Sequence, residues 1–167
     1  GALLGELAKR GRDKLSFVFS AEIKPFGDWI EQLIAESLGK EGKGILPVVG
    51  ESLGRPEVYG NDRVFVSLRT GEDQTAEERL RTLAEYGHPI VDLRIADLYD
   101  LGGQCFFWEM ATVAIGWQLM INPFDQPDVE AAKVLARRVI VEYKERGAMP
   151  EETPVLKAPG ISVYGDV

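Results

Sequence analysis

The order of apolar runs along the chain restricts the fold more than any other feature. Four short runs rich in Val, Ile, Leu and Phe have the length and residue types of strands: "KLSFVFS" (14–20), "GILPVVG" (44–50), "RVFVSLR" (63–69) and "HPIVDLRI" (88–95). Segments with helical spacing separate them. In "PFGDWIEQLIAESLGK" (25–40), Trp29, Ile30, Leu33, Ile34 and Leu38 recur on one side of a helix. "TAEERLRTLAEYG" (75–87) is amphipathic and ends on Gly87, a helix stop signal. The opening "GALLGELAKRG" also reads as helical. After the last strand come a long, mostly apolar helix over 99–121 and an amphipathic one over 127–147. The latter closes on basic residues and Gly147, as the helix dipole favours.

Strands that alternate with helices need crossover connections, so the pattern predicts an α/β fold with a parallel sheet covered on both faces. The strand runs show little polar alternation, which fits burial on two sides. A length of 167 residues suits one domain with a sizeable core. From Ala148 onward the chain is rich in Pro and Gly with little periodicity, so 148–167 reads as an extension or linker. In open α/β sheets ligands bind beyond the carboxyl ends of the strands, at helix starts.

Charge and cysteine usage exclude some classes of function. Nineteen Lys and Arg against 27 Asp and Glu leave a net charge of −8, which repels phosphate backbones and argues against nucleic acid. A local basic pocket for a small anion stays compatible with that total. The single cysteine, Cys105, lies in an apolar run and reads as a buried small hydrophobe. With no signal-peptide pattern, the chain is expected in the cytoplasm. The apolar stretch from Cys105 to Ile121 carries Glu109 and Gln118, so it reads as a buried helix rather than a membrane span. Glu109 is expected to need a hydrogen-bonding partner there.

Two places could carry chemistry. Gln32 and Glu36 are an i,i+4 pair on the flank of the apolar stripe, with Trp29 beside them. A carboxylate half-withdrawn from water on such a flank is a candidate general base, although a solvated surface glutamate is the commoner case. In "NPFDQPDVEAAK" (122–133), Asp125 is placed to cap the following helix and Gln126 projects from its start. Val129, Ala132, Ala136, Ile140 and Tyr143 make its apolar stripe, and Lys133 lies just off it, with an amine able to reach a cleft or simply to snorkel into water. "LGKEGKGI" lacks the GK[ST] ending of a nucleotide phosphate loop. One histidine, His88, and one cysteine give little support to a zinc site or a Cys–His pair, and no metal or cofactor is called for.

"LIAESLGK", the long apolar helix and "NPFDQPDVEAAK", in this order and spacing, together resemble the glucose-6-phosphate isomerase family, with its ESxGK and FDQ segments. The wording is most similar to the isomerase part of bacterial transaldolase–glucose-6-phosphate isomerase fusions. The resemblance covers about residues 14 to 145. It implies a sugar isomerase (SIS) domain, a three-layer αβα sandwich of flavodoxin-like type with a five-stranded parallel sheet. It places 1–147 as the second such domain of a longer chain, whose first SIS domain supplies most of the phosphate-binding groups. The implied partners are a sugar phosphate, that first domain, an upstream transaldolase and, as an open possibility, further copies of the chain. By position Glu36 resembles the base that moves a proton between sugar C1 and C2, and Lys133 resembles the lysine that assists ring opening. Gln32 and Gln126 match substrate-contacting glutamines. The family's ring-opening histidine has no counterpart in "GESLGRPEVYGNDRVFV" (50–66), and His88 stands in a different context. That departure keeps open a non-catalytic sugar-phosphate-binding module.

Overall fold

The computed structural model describes residues 1–71, 73–148 and 153–165. The chain divides into two compact units, 1–126 and 127–167. The boundary expected at 147/148 is thus drawn inside the second unit's sequence, and part of the expected extension, 149–152 and 166–167, lies outside the described residues.

In the first unit, helix α1 (Ala2–Lys9) leads into strand β1 (Lys14–Phe19), and a 3-10 turn precedes helix α2 (Phe26–Leu38). Strand β2 (Leu46–Val48), strand β3 (Arg63–Thr70), helix α3 (Glu77–Glu85), strand β4 (Ile90–Ile95) and helix α4 (Asp100–Leu119) follow. The strands form one all-parallel sheet in the order β2-β1-β3-β4. Lys14 of β1 is in register with Leu46 of β2 and Arg63 of β3, and Phe65 of β3 with Ile90 of β4.

Side chains alternate across this sheet. Leu15, Phe17, Val64 and Val66 turn to one face, where they meet Leu4 of α1, Ile30, Ile34 and Leu38 of α2, and Trp108, Ala111 and Ile115 of α4. Phe65 turns to the other, where Leu80 and Leu83 of α3 pack on it beside Val18. Helices therefore cover both faces, as the order of runs requires. Trp108 meets the Phe17 ring edge-on, with centroids 5.4 Å apart.

The parallel sheet has four strands, one fewer than the resemblance implies. The sequence offers four buried runs; the only later strands described are three-residue pieces with exposed side chains. The long helix differs as well. Only Trp108, Ala111, Thr112, Ile115 and Gly116 of α4 are buried, a stripe at helical spacing, whereas Phe106, Phe107, Met110 and Trp117 are exposed. Apolar residues on both faces hide that stripe from any periodicity argument. Glu109 falls on the exposed face, so water takes the place of the partner expected for it, and Cys105 is half-buried.

The second unit holds helix α5 (Pro127–Arg146) and a hairpin of strands β5 (Leu156–Ala158) and β6 (Ile161–Val163), paired antiparallel. Pro159 and Gly160, the latter at φ +78, make its two-residue turn. None of the residues of α5 is buried, so the stripe of Val129, Ala132, Ala136, Ile140 and Tyr143 is not a core face as expected. Among the described residues no helix is long and apolar enough to cross a membrane.

Candidate functional site

Two helix ends meet at the amino edge of the sheet. Each helix that follows a strand runs back along it, so the last turns of α2 and α4 both finish there. The α2 helix stops at Leu38, and the Gly39 N–H bonds the Ala35 carbonyl at 3.0 Å. A Cβ on Gly39 would come within 2.7 Å of that carbonyl oxygen, which is why glycine suits this position. The tight exit turns Lys40 inward.

The α4 helix ends with Met120 in the left-handed conformation (φ 56, ψ 49) and the Ile121 N–H on the Gly116 carbonyl at 3.0 Å. This is a Schellman-type stop with methionine where glycine is usual. Ile121 is then buried and Pro123 lies over Gly116. The Asn122 side-chain oxygen accepts the Phe124 N–H at 3.1 Å, tightening the Asn-Pro turn.

Lys40 joins these two endings. Its side chain is 2% exposed, and its ammonium donates to the Asn122 carbonyl and to the Asp125 carboxylate, both at 2.9 Å, and also to the Asp125 carbonyl. The Lys40 hydrogen bond, with a further contribution from Asn122, holds the Asp125 carboxyl below the ordinary carboxylate range. Asp125 is thus committed to Lys40 and Asn122, and α5 begins with Pro127 at its first position rather than directly after an Asp125 cap. Lys43, three residues on, reaches the Met120 carbonyl at 3.4 Å. Both lysines of the loop rejected as a phosphate site therefore serve the negative end of α4.

The turned segment carries Gln126 onto α2. The Gln126 amide donates to one oxygen of Glu36 at 3.0 Å, and the Gln32 amide donates to the other at 3.1 Å. Three of the four residues singled out from the sequence are therefore in direct contact, across ninety positions in the case of Glu36 and Gln126. The Glu36 carboxylate is fixed in plane by a donor on each oxygen. It is exposed rather than half-withdrawn from water, since the flank of α2 that carries it is open. Lys133 belongs to the second unit, where it stands on α5, 58% exposed and 3.9 Å from Glu130.

The location overturns one expectation. Glu36 and Gln126 sit at the amino edge of the sheet, where helices end, not beyond its carboxyl edge. Lys40 was missed; its signal is a lysine directly after the glycine that ends a helix, where cations are favoured. His88 is buried against Tyr59, Phe65 and Tyr86, with its Nε2 3.1 Å from the Pro56 carbonyl. It serves the packing of the α3 face. Among the described residues no three His, Cys, Asp or Glu side chains group to hold a metal ion.

No family model matches the chain. It is similar to a glucose-6-phosphate isomerase of Pediococcus pentosaceus, with 31% identity over 69% of this chain and 34% of the relative. Another of Leptospira interrogans is 29% identical over the same shares, and one of Enterococcus faecalis is 31% identical over 65% of this chain and 32% of its own. Among solved structures, a hypothetical protein of Thermus thermophilus superimposes with a TM-score of 0.64. It is 22% identical and covers 82% of this chain and 43% of its own, a likeness of fold. The chain is a relative of the glucose-6-phosphate isomerases and spans about a third of their length.

Proposed function

We propose that the chain is the glutamate-bearing SIS domain of a cytoplasmic glucose-6-phosphate isomerase, part of a longer polypeptide that includes a first SIS domain and a transaldolase. The reaction interconverts glucose 6-phosphate and fructose 6-phosphate. The observation that carries this reading is the contact of Gln126 with Glu36 at 3.0 Å, with Gln32 on the other carboxylate oxygen.

Aldose–ketose isomerisation needs one base that faces two adjacent carbons. Glu36 takes the proton from C2 of the open-chain aldose as the C1 oxygen gains one, giving a cis-enediol. It then returns a proton to C1 to leave the ketose. Two amides that hold the carboxylate in plane keep both carbons within reach of a single oxygen, and the same amides can trade that contact for sugar hydroxyls. Proton transfer by a positioned base contributes about 10²–10⁴-fold. Lys133 assists ring opening in this scheme. In the full-length parent, Glu36→Gln removes the base while keeping both amide contacts nearly isosteric. Isomerisation should then be lost with the fold intact; full activity would refute the assignment.

A second reading draws on the missing histidine: residues 50–66 contain none, and His88 is engaged in packing. On that reading the domain binds sugar phosphate without turnover. Measurable isomerisation by the parent that Lys133→Ala abolishes would exclude it. Binding of glucose 6-phosphate without turnover would exclude the catalytic reading instead.

A further inference from the structure

We propose that the cleft beyond the carboxyl ends of β1 and β2 is a second small-ligand site, taking a phosphate monoester of a small polyhydroxylated molecule. The topology sets this position apart. The chain leaves β1 through α2 toward one face of the sheet and leaves the adjacent β3 through α3 toward the other, so a crevice opens between the two departures. Crevices of this kind are where open parallel sheets bind ligands. The cleft has a volume of about 540 Å³, inside the range of roughly 300–1,000 Å³ typical of small-molecule pockets.

The lining selects the ligand. Phe19, Val49 and Leu53 supply apolar wall, and Ser52 adds a hydroxyl. Lys24 and Arg79 stand on the rim, from the starts of α2 and α3, and neither forms an ion pair among the described residues. Two carboxylates also line the cleft. Glu51 is already taken by Arg63 at 2.9 Å and by the Ser16 hydroxyl at 3.0 Å, which leaves Asp28. Two unpaired cations thus face one uncommitted carboxylate, an excess that suits one phosphoryl group beside a hydroxyl that Asp28 can accept from. The first turns of α2 and α3 add partial positive charge of the same sense.

This site is separate from the one around Glu36. Asp28 and Glu36 lie at opposite ends of α2, eight residues and so about 12 Å apart along its axis. Binding in the cleft does not require isomerase activity, so the site stands or falls independently of the proposed function.

The test is an amide-resolved NMR titration of the 167-residue chain with glucose 6-phosphate, inorganic phosphate and glucose. Glucose 6-phosphate should shift the Gly50, Ser52 and Thr75 amides, glucose should not, and inorganic phosphate should bind more weakly than the ester. Lys24→Ala and Arg79→Ala, both at exposed unpaired positions, should each weaken binding about tenfold, the loss of one charge-assisted contact. Glu36→Gln should leave these shifts unchanged. The proposal is overturned if no probe shifts these amides, if the Lys24 and Arg79 variants bind as the parent does, or if inorganic phosphate binds as tightly as the ester. Shifts confined to the surroundings of Gln32 and Gln126 would also overturn it.

Discussion

Lys40→Met tests whether one buried ammonium seats the segment that brings Gln126 to Glu36. Methionine fills nearly the same space, so the substitution deletes the charge and its donors without opening a large void. The parent ammonium serves two carbonyls, of Asn122 and Asp125, and the Asp125 carboxylate. Hydrogen bonds to charged groups contribute about 1.5–3 kcal/mol each, but the three share one ammonium and do not add. Removing one partner of a fully buried pair costs more, about 3–5 kcal/mol, because the survivor keeps an uncompensated charge. That penalty does not apply here, since the Asp125 side chain is 55% exposed and can rehydrate. The expected loss is therefore about 2–3 kcal/mol. In urea, with a slope of about 1–3 kcal/mol/M, the midpoint should fall by about 1–2 M at unchanged slope. All three tryptophans, Trp29, Trp108 and Trp117, lie in the first unit, so their fluorescence reports its unfolding. Hydrogen exchange at Phe124 and Ile121 should quicken beyond the global change. Lys43→Met is the control: its exposed amine makes a single contact at 3.4 Å, and its loss should stay within about 0.5 kcal/mol. Equal midpoints for Lys40→Met and the parent, with unchanged exchange at Phe124, would refute the clamp.

Further outcomes follow from the same geometry. Gly39→Ala sets a Cβ 2.7 Å from the Ala35 carbonyl oxygen; overpacking of this kind should cost about 1–3 kcal/mol in the same urea assay. Asp73 accepts hydrogen bonds from the Ser20 hydroxyl and from the Thr75 hydroxyl and N–H, which lower its pKa from 3.8 to about 2. A depressed folded pKa means stability that is fully present above 3.8 and is lost as pH falls toward about 2. Ser20→Ala should move the carboxyl's NMR titration midpoint upward from about 2, and no movement would show that the Ser20 contact is idle. The 167-residue chain alone should not turn over glucose 6-phosphate in a coupled assay; robust turnover would show that the unit needs no further phosphate anchor.

Much of the first unit was legible because each element carries its own local signal. The four strand runs and the helices at 25–40 and 75–87 are found within two or three residues of where spacing and stop signals put them. Long-range facts were less accessible. That α4 has one buried face follows from what packs against it, and its composition is apolar all round. The burial of Lys40 depends on a partner segment 82 to 85 positions away. Glu36 and Gln32 were readable as neighbours from i,i+4 spacing, whereas only the family resemblance joined Gln126 to them. The position of Glu36 near the end of α2 already implied the amino edge of the sheet, because a helix returning from β1 must end there. The general preference for carboxyl edges obscured that consequence.

The polarity of the two edges explains how they can divide their work. Helices α2 and α4 both present carboxyl ends at the Glu36 edge, and Asp125 and Glu36 add two carboxylates to it. The cations close by, Lys40 and Lys43, are turned toward backbone carbonyls and Asp125. An edge with its cations committed and its helix dipoles pointing the wrong way suits proton abstraction from a neutral sugar carbon, but it does not suit a phosphate dianion. A sugar phosphate that reacts at Glu36 must therefore have its phosphate held by groups outside this edge, with the binding energy of that remote handle spent on aligning C1 and C2. The opposite edge, where α2 and α3 begin and Lys24 and Arg79 are unpaired, has the complementary polarity. It lies a helix length from the base, too far to hold the phosphate of the same molecule. A substrate anchor from another part of the polypeptide and a separate anion at the far edge are both consequences of running two helices back along one parallel sheet.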